Sequence, residues 1–101
     1  MVFEYVQTWR IREGFKDVHD SLLKKWILRA GGSPYLSGVR FPPHPLRAPR
    51  KRVLVLIFND VQGWRCFRKE KMEYYRGFVD KWLKLIERDS IRIFFCQSTV
   101  N

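Results

Sequence analysis

The chain has 101 residues, with 20 Lys and Arg against 10 Asp and Glu, for a formal net charge of +10. Its hydrophobic content of 46% and aromatic content of 16% exclude a disordered polyelectrolyte and are enough for one packed domain spanning residues 1–101. The longest uninterrupted apolar run, Val53 to Phe58, falls far short of the roughly 20 residues a membrane span needs, and Glu4 interrupts an N-terminus that lacks a small-residue cleavage site, so the sequence predicts a cytoplasmic protein with no membrane association.

From Val2 to Ile11 apolar and polar residues alternate, with Phe3, Tyr5, Trp9 and Ile11 on one face, which predicts a strand. From Gly14 to Ala30 the period changes to that of a helix: Phe15, Val18, Leu22, Leu23, Trp26, Ile27 and Ala30 form the apolar stripe. Gly31-Gly32-Ser33-Pro34 ends it. The 19 residues from Pro34 to Arg52 hold every proline of the chain (Pro34, Pro42, Pro43, Pro45 and Pro49) and five cations without one acid, so they supply +5 of the +10. Proline fixes φ and lacks a donor, which predicts a basic, irregular loop over residues 34–52.

Arg52 to Phe58 is apolar on both faces and reads as a strand. Asn59 to Gly63 reads as a turn, and Trp64 to Phe67 as a short returning strand. Lys69 to Arg88 follows a second helical stripe through Met72, Tyr75, Val79, Trp82, Leu83 and Ile86, and Ser90 to Ser98 alternates as a last strand. The order β-α-loop-β-β-α-β predicts an α+β fold, a ferredoxin-like split βαβ sandwich with an antiparallel sheet and two helices on one face. In that reading Val53–Phe58 is an apolar edge strand, and an exposed apolar edge predicts a homodimer seam.

For function, the charge distribution points to a small basic nucleic-acid-binding protein that contacts DNA or RNA phosphates with little sequence specificity. Arg40, Arg47, Arg50, Lys51 and Arg52 are the expected phosphate contacts, Arg65, Arg68 and Lys69 extend the surface, and Tyr35, Phe41 and Trp64 are the expected stacking aromatics. The alternatives are an assembly protein whose basic arm contacts another subunit, and a metal-dependent nuclease using Asp60 at a strand end. The topology resembles that of several nucleic-acid proteins, but Gly63 to Phe67 does not match the RRM strand motif. Tyr74 and Tyr75 lack the paired histidines that replication-initiator nucleases use, and the CRISPR adaptation endoribonucleases carry their aspartate on the first strand. No catalytic grouping, metal site or cofactor is expected, because His19, His44, Cys66 and Cys96 are isolated singles, with His19 near the solvent boundary of its helix and both thiols reading as small, reduced and buried.

Overall fold

The computed structural model describes residues 2–42 and 47–98, apart from the side chains of residues 72–74 and 98, so Pro43, His44 and Pro45 lie outside the described residues. The elements are β1 (Val2–Ile11), α1 (Lys16–Ala30), β2 (Gly38–Arg40), β3 (Lys51–Phe58), α2 (Val61–Glu70), α3 (Met72–Trp82) and β4 (Ile86–Ser98). The strands form one antiparallel sheet in the order β2-β3-β1-β4. The fold is therefore the ferredoxin-like α+β arrangement, with the second crossover divided into two helices.

Alternation along the two interior strands sets which side is core. Phe3, Tyr5, Gln7, Trp9 and Ile11 of β1 are buried, as are Arg52, Leu54, Leu56 and Phe58 of β3, and the register pairs Tyr5 with Leu56 and Trp9 with Arg52. These side chains share the face that the helices cover. Leu23, Trp26 and Ala30 of α1, Phe67 of α2, and Trp82 close the core from the other side. Ile86 is also buried there, but from β4 rather than from a helix, while Phe15 is 40% exposed with the Arg12 guanidinium over its ring.

The helix-free face carries Val6, Val55 and Phe94, and only Val55 of these is fully buried. At the β1–β4 irregularity between Thr8 and Arg10, the Arg10 N–H is taken up by Ser90 Oγ at 2.8 Å. A peptide donor freed from the ladder is thereby satisfied. Gly14, at φ +87°, makes the turn into α1, a conformation that side chains with a Cβ disfavour.

Two expected features are corrected here. Trp64 to Phe67 is not a strand: it lies inside α2, which starts because the Asp60 carboxylate accepts the Gly63 N–H at 2.8 Å as an N-cap. The fourth strand is instead β2, within the proline-rich segment, whose three residues pair with Val55 to Ile57 of β3. As a result β3 is an interior strand, flanked by β1 and β2, and the predicted homodimer seam along Val53–Phe58 is overturned. Its apolar character on both faces reflects that interior position. The exposed apolar edge is β4, where Ile93, Phe94 and Phe95 are each about half exposed. Replacing Asp60 with alanine should cost about 0.5–2 kcal/mol of stability through loss of the α2 cap; unchanged chemical denaturation would show that the cap is dispensable.

Candidate functional site

A cavity of about 580 Å³ lies between the helices and the covered face of the sheet. That is within the size range of small-molecule sites. Tyr5, Gln7 and Trp9 of β1 and Leu54 and Leu56 of β3 form its floor, and Leu23 and Trp26 of α1 one wall. Trp64, Phe67 and Arg68 of α2, Lys71 at the junction, and Tyr75, Arg76, Phe78 and Trp82 of α3 form the roof and mouth. Ile93 and Phe95 border it from β4, and because both are half exposed the cavity is open along that edge.

All four tryptophans of the chain face this space, and the rings are organised rather than merely collected. Trp64 stacks on Tyr5 with centroids 4.9 Å apart, Phe78 stacks on Trp82 at 5.9 Å, and Trp82 meets Trp9 edge-on at 5.3 Å. Such geometry favours flat aromatic guests, because each ring presents either a face or an edge of opposite electrostatic sign. Polar groups are few. The Tyr5 hydroxyl donates to Gln7 Oε1 at 3.0 Å, and burial, with a smaller contribution from Tyr75, pushes the Tyr5 phenol up, so it stays protonated at neutral pH.

Behind the floor lies a buried polar network that the sequence reading missed. His19 is fully buried, and its Nε2 faces the indole N–H of Trp9 at 2.8 Å and of Trp82 at 3.3 Å. Two donors converge on that nitrogen, so it must be the unprotonated one, and the proton sits on Nδ1, 3.0 Å from Asp20 Oδ1. Burial holds the His19 pKa below its ordinary value, outweighing the pull of Asp20. Asp20 in turn receives Arg52 Nε at 3.0 Å and Nη2 at 2.9 Å as a two-point pair. Partial burial raises the Asp20 carboxyl, but the hydrogen bonds and charges of Arg52 and His19 together leave its pKa below normal. The network thus ties α1 to β1, β3 and α3, and it sets the two tryptophans that wall the cavity.

The structure disperses the expected phosphate-binding residues. Arg52 is 2% exposed and committed to Asp20 and to the carbonyls of Pro49 and Lys51, so it is no surface contact. Arg40 pairs with Glu4 on the helix-free face, and Arg50 lies 3.6 Å from Glu87. Arg47 and Lys51 are exposed near the start of β3. Arg65, Arg68 and Lys69 are exposed on α2, beyond the other end of that eight-residue strand, a separation of roughly 25 Å along it. Tyr35 and Phe41 are exposed, whereas Trp64 points into the cavity wall. Only Trp64 and Arg68 of the eleven meet at the cavity, with the Arg68 guanidinium 5.6 Å from the Trp64 ring centre. Among the described residues no three His, Cys, Asp or Glu side chains come together, and Cys96 is exposed rather than buried.

No protein-family model matches the chain, and no curated protein is significantly similar to it. Solved structures do share its fold. SnoaB, a cofactor-independent oxygenase from Streptomyces nogalater, superposes with a TM-score of 0.81 at 8% identity, covering 99% of this chain and 95% of that one. Rv0793 from Mycobacterium tuberculosis gives 0.81 at 10% identity, covering 100% and 98%. A protein described as an antibiotic biosynthesis monooxygenase gives 0.80 at 10%, covering 97% and 99%. At such identities the likeness is one of fold.

These comparisons correct the expected function and partner. Proteins of the same architecture over nearly their whole length are named for oxygenase chemistry, and the cations meant to bind a DNA or RNA backbone are divided between both faces and both ends of the sheet. The arm-to-subunit alternative loses its basis as well, since Arg40, Arg50 and Arg52 are engaged within the chain. So does the nuclease alternative, since Asp60 is the α2 cap.

Proposed function

We propose that this protein binds a flat aromatic small molecule in the cavity under α2 and α3 and acts on it as an oxygenase. The observation that carries the binding is the cavity wall: four tryptophans with Tyr5, Phe67, Phe78 and Phe95 around about 580 Å³. The reaction class is drawn from the architecture shared with SnoaB and with the antibiotic biosynthesis monooxygenase. Here the chain's own residues enclose the aromatic body and hold it against the Tyr5–Gln7 pair, while α2 and α3 limit water. We also place the protein in the cytoplasm, on its two free thiols, Cys66 and Cys96.

Calorimetric titration with bicyclic and tricyclic aromatics tests the binding, and an oxygen electrode run on the tightest binders tests the reaction. Trp64→Ala should weaken binding at least about tenfold, because it removes a ring stacked on Tyr5 and in contact with Phe58 and Phe95. Absence of saturable binding across the panel, or a Trp64→Ala affinity equal to wild type, would remove the cavity as the site.

A further inference from the structure

Two of the tryptophans that wall the cavity depend on one nitrogen atom. The rings of Trp9 and Trp82 line the cavity, and both indole N–H groups are directed at Nε2 of His19, which does not itself border the space. That nitrogen has one in-plane lone pair, and it serves both donors only while it carries no proton. His19 is fully buried, so water cannot take over either bond. A proton arriving from solvent would form an N–H bond with the same lone pair and set three donors against one another, at 2.8 Å and 3.3 Å. Such a cluster has to open. Trp9 stands on the interior strand β1 in register with Arg52, whereas Trp82 is the last residue of α3 and holds the longer of the two bonds. Trp82 is therefore the ring that gives way, and its stack on Phe78 and its edge contact with Trp9 go with it.

Resting on the cavity reading above, we infer that His19 is a positioning residue that holds the cavity in its ligand-binding shape only while neutral, so that acidification releases the aromatic ligand from a protein that is still folded. The charged groups acting on the imidazole are Asp20 from α1, which favours the proton, and Arg52 from β3, which opposes it. From β1 and α3 the imidazole meets the two indoles. Burial opposes the proton most strongly, which sets the device to the binding state at neutral pH and places release below the ordinary histidine range. Asp20 stays ionised through that window, because its own pKa lies below the ordinary 3.8.

The test uses 2-naphthol, whose hydroxyl stays protonated from about pH 4 to 8, so that any pH dependence belongs to the protein. Calorimetry should give a constant affinity from about pH 8 to 6.5, then a fall approaching about tenfold per pH unit once folded His19 titrates, while far-UV circular dichroism remains native. In isotopically labelled protein without ligand, the indole N–H signals of Trp9 and Trp82 should titrate together at that same midpoint, and those of Trp26 and Trp64 should not. His19→Gln can accept from both indoles and does not titrate, so its affinity should be flat across the range. The wild-type signals decide the matter even where that variant is unstable. Affinity and indole signals that stay constant until the fold itself is lost overturn the inference and leave the cavity reading standing. So does a fall in affinity that His19→Gln reproduces. Absence of saturable binding already at neutral pH removes the cavity reading, and this inference with it.

Discussion

Asp20→Ala is expected to cost about 3–5 kcal/mol of folding stability, a large share of what a domain of this size possesses. The reason lies in its partner. Arg52 is 2% exposed, and without Asp20 its guanidinium keeps, among the described residues, the Pro49 and Lys51 carbonyls as acceptors. A charge that cannot be hydrated and has lost its counter-ion is among the costlier single defects a core can hold. Arg52→Ala should be milder, because the stranded Asp20 side chain is 36% exposed and can recruit water. Denaturant melts of the two single variants and the double variant form the cycle that measures the pair. If Asp20→Ala and wild type unfold at the same denaturant concentration, the pair is not the tie between α1 and β3 that its geometry indicates.

His19→Leu carries the second large effect, and it has a pH signature. Leucine removes the acceptor shared by the Trp9 and Trp82 indoles, and each buried N–H left without a partner costs about 1–3 kcal/mol. In wild type the folded imidazole is held neutral, with its pKa below the ordinary 6.5. The unfolded chain takes up that proton near pH 6.5 and the folded chain resists it. Stability is therefore fully present above about pH 6.5 and declines as pH falls below it, by at most about 1.4 kcal/mol per pH unit for one proton, until folded His19 protonates too. Asp20 works in a lower window: its depressed pKa contributes stability above its ordinary 3.8 that is lost as pH falls through the folded value. His19→Leu should flatten the wild-type decline between about pH 6.5 and 5, whereas His19→Gln, which can still accept from both indoles, should recover part of the stability at pH 7. A wild-type stability constant from pH 7.5 to 5 would contradict a buried neutral His19.

The same network explains why changes in the floor should be felt in the cavity. Trp9 and Trp82 meet the cavity with their rings and His19 with their N–H groups, so His19 positions the wall without bordering it. Loss of the acceptor frees both rings to adopt other rotamers, and aromatic binding should weaken in His19→Leu more than in His19→Gln.

Much of the fold was legible in the chain itself. The two-residue alternation of Phe3, Tyr5, Trp9 and Ile11 and the helical stripe of Leu23, Trp26 and Ala30 each specify their element, because burial on one face repeats with the element's own period, while the apolar run Val53–Phe58 reads as a strand covered on both faces. The buried network was present in the same patterns. His19 stands in phase with Leu23, Trp26 and Ala30, and Arg52 in phase with Leu54, Leu56 and Phe58, so periodicity places both inward despite their polarity. Reading Arg52 with its charged neighbours instead of with its strand assigned it to the surface.

What periodicity could not decide was pairing and convergence. Gly38–Arg40 is a strand only because β3 offers it an edge, and three residues among prolines carry no pattern of their own. Trp64 to Phe67 is short enough to suit either period, and the Asp60 cap with packing of Phe67 against Phe58 settles it as helix. With the hairpin misplaced, β3 became an edge and its apolar faces a seam. The cavity lay further out of reach, since its aromatic walls come from two strands and three helices between Tyr5 and Phe95. Local sequence determines which way each of those side chains faces along its own element. Only the folded sheet and its helices decide that they face one another.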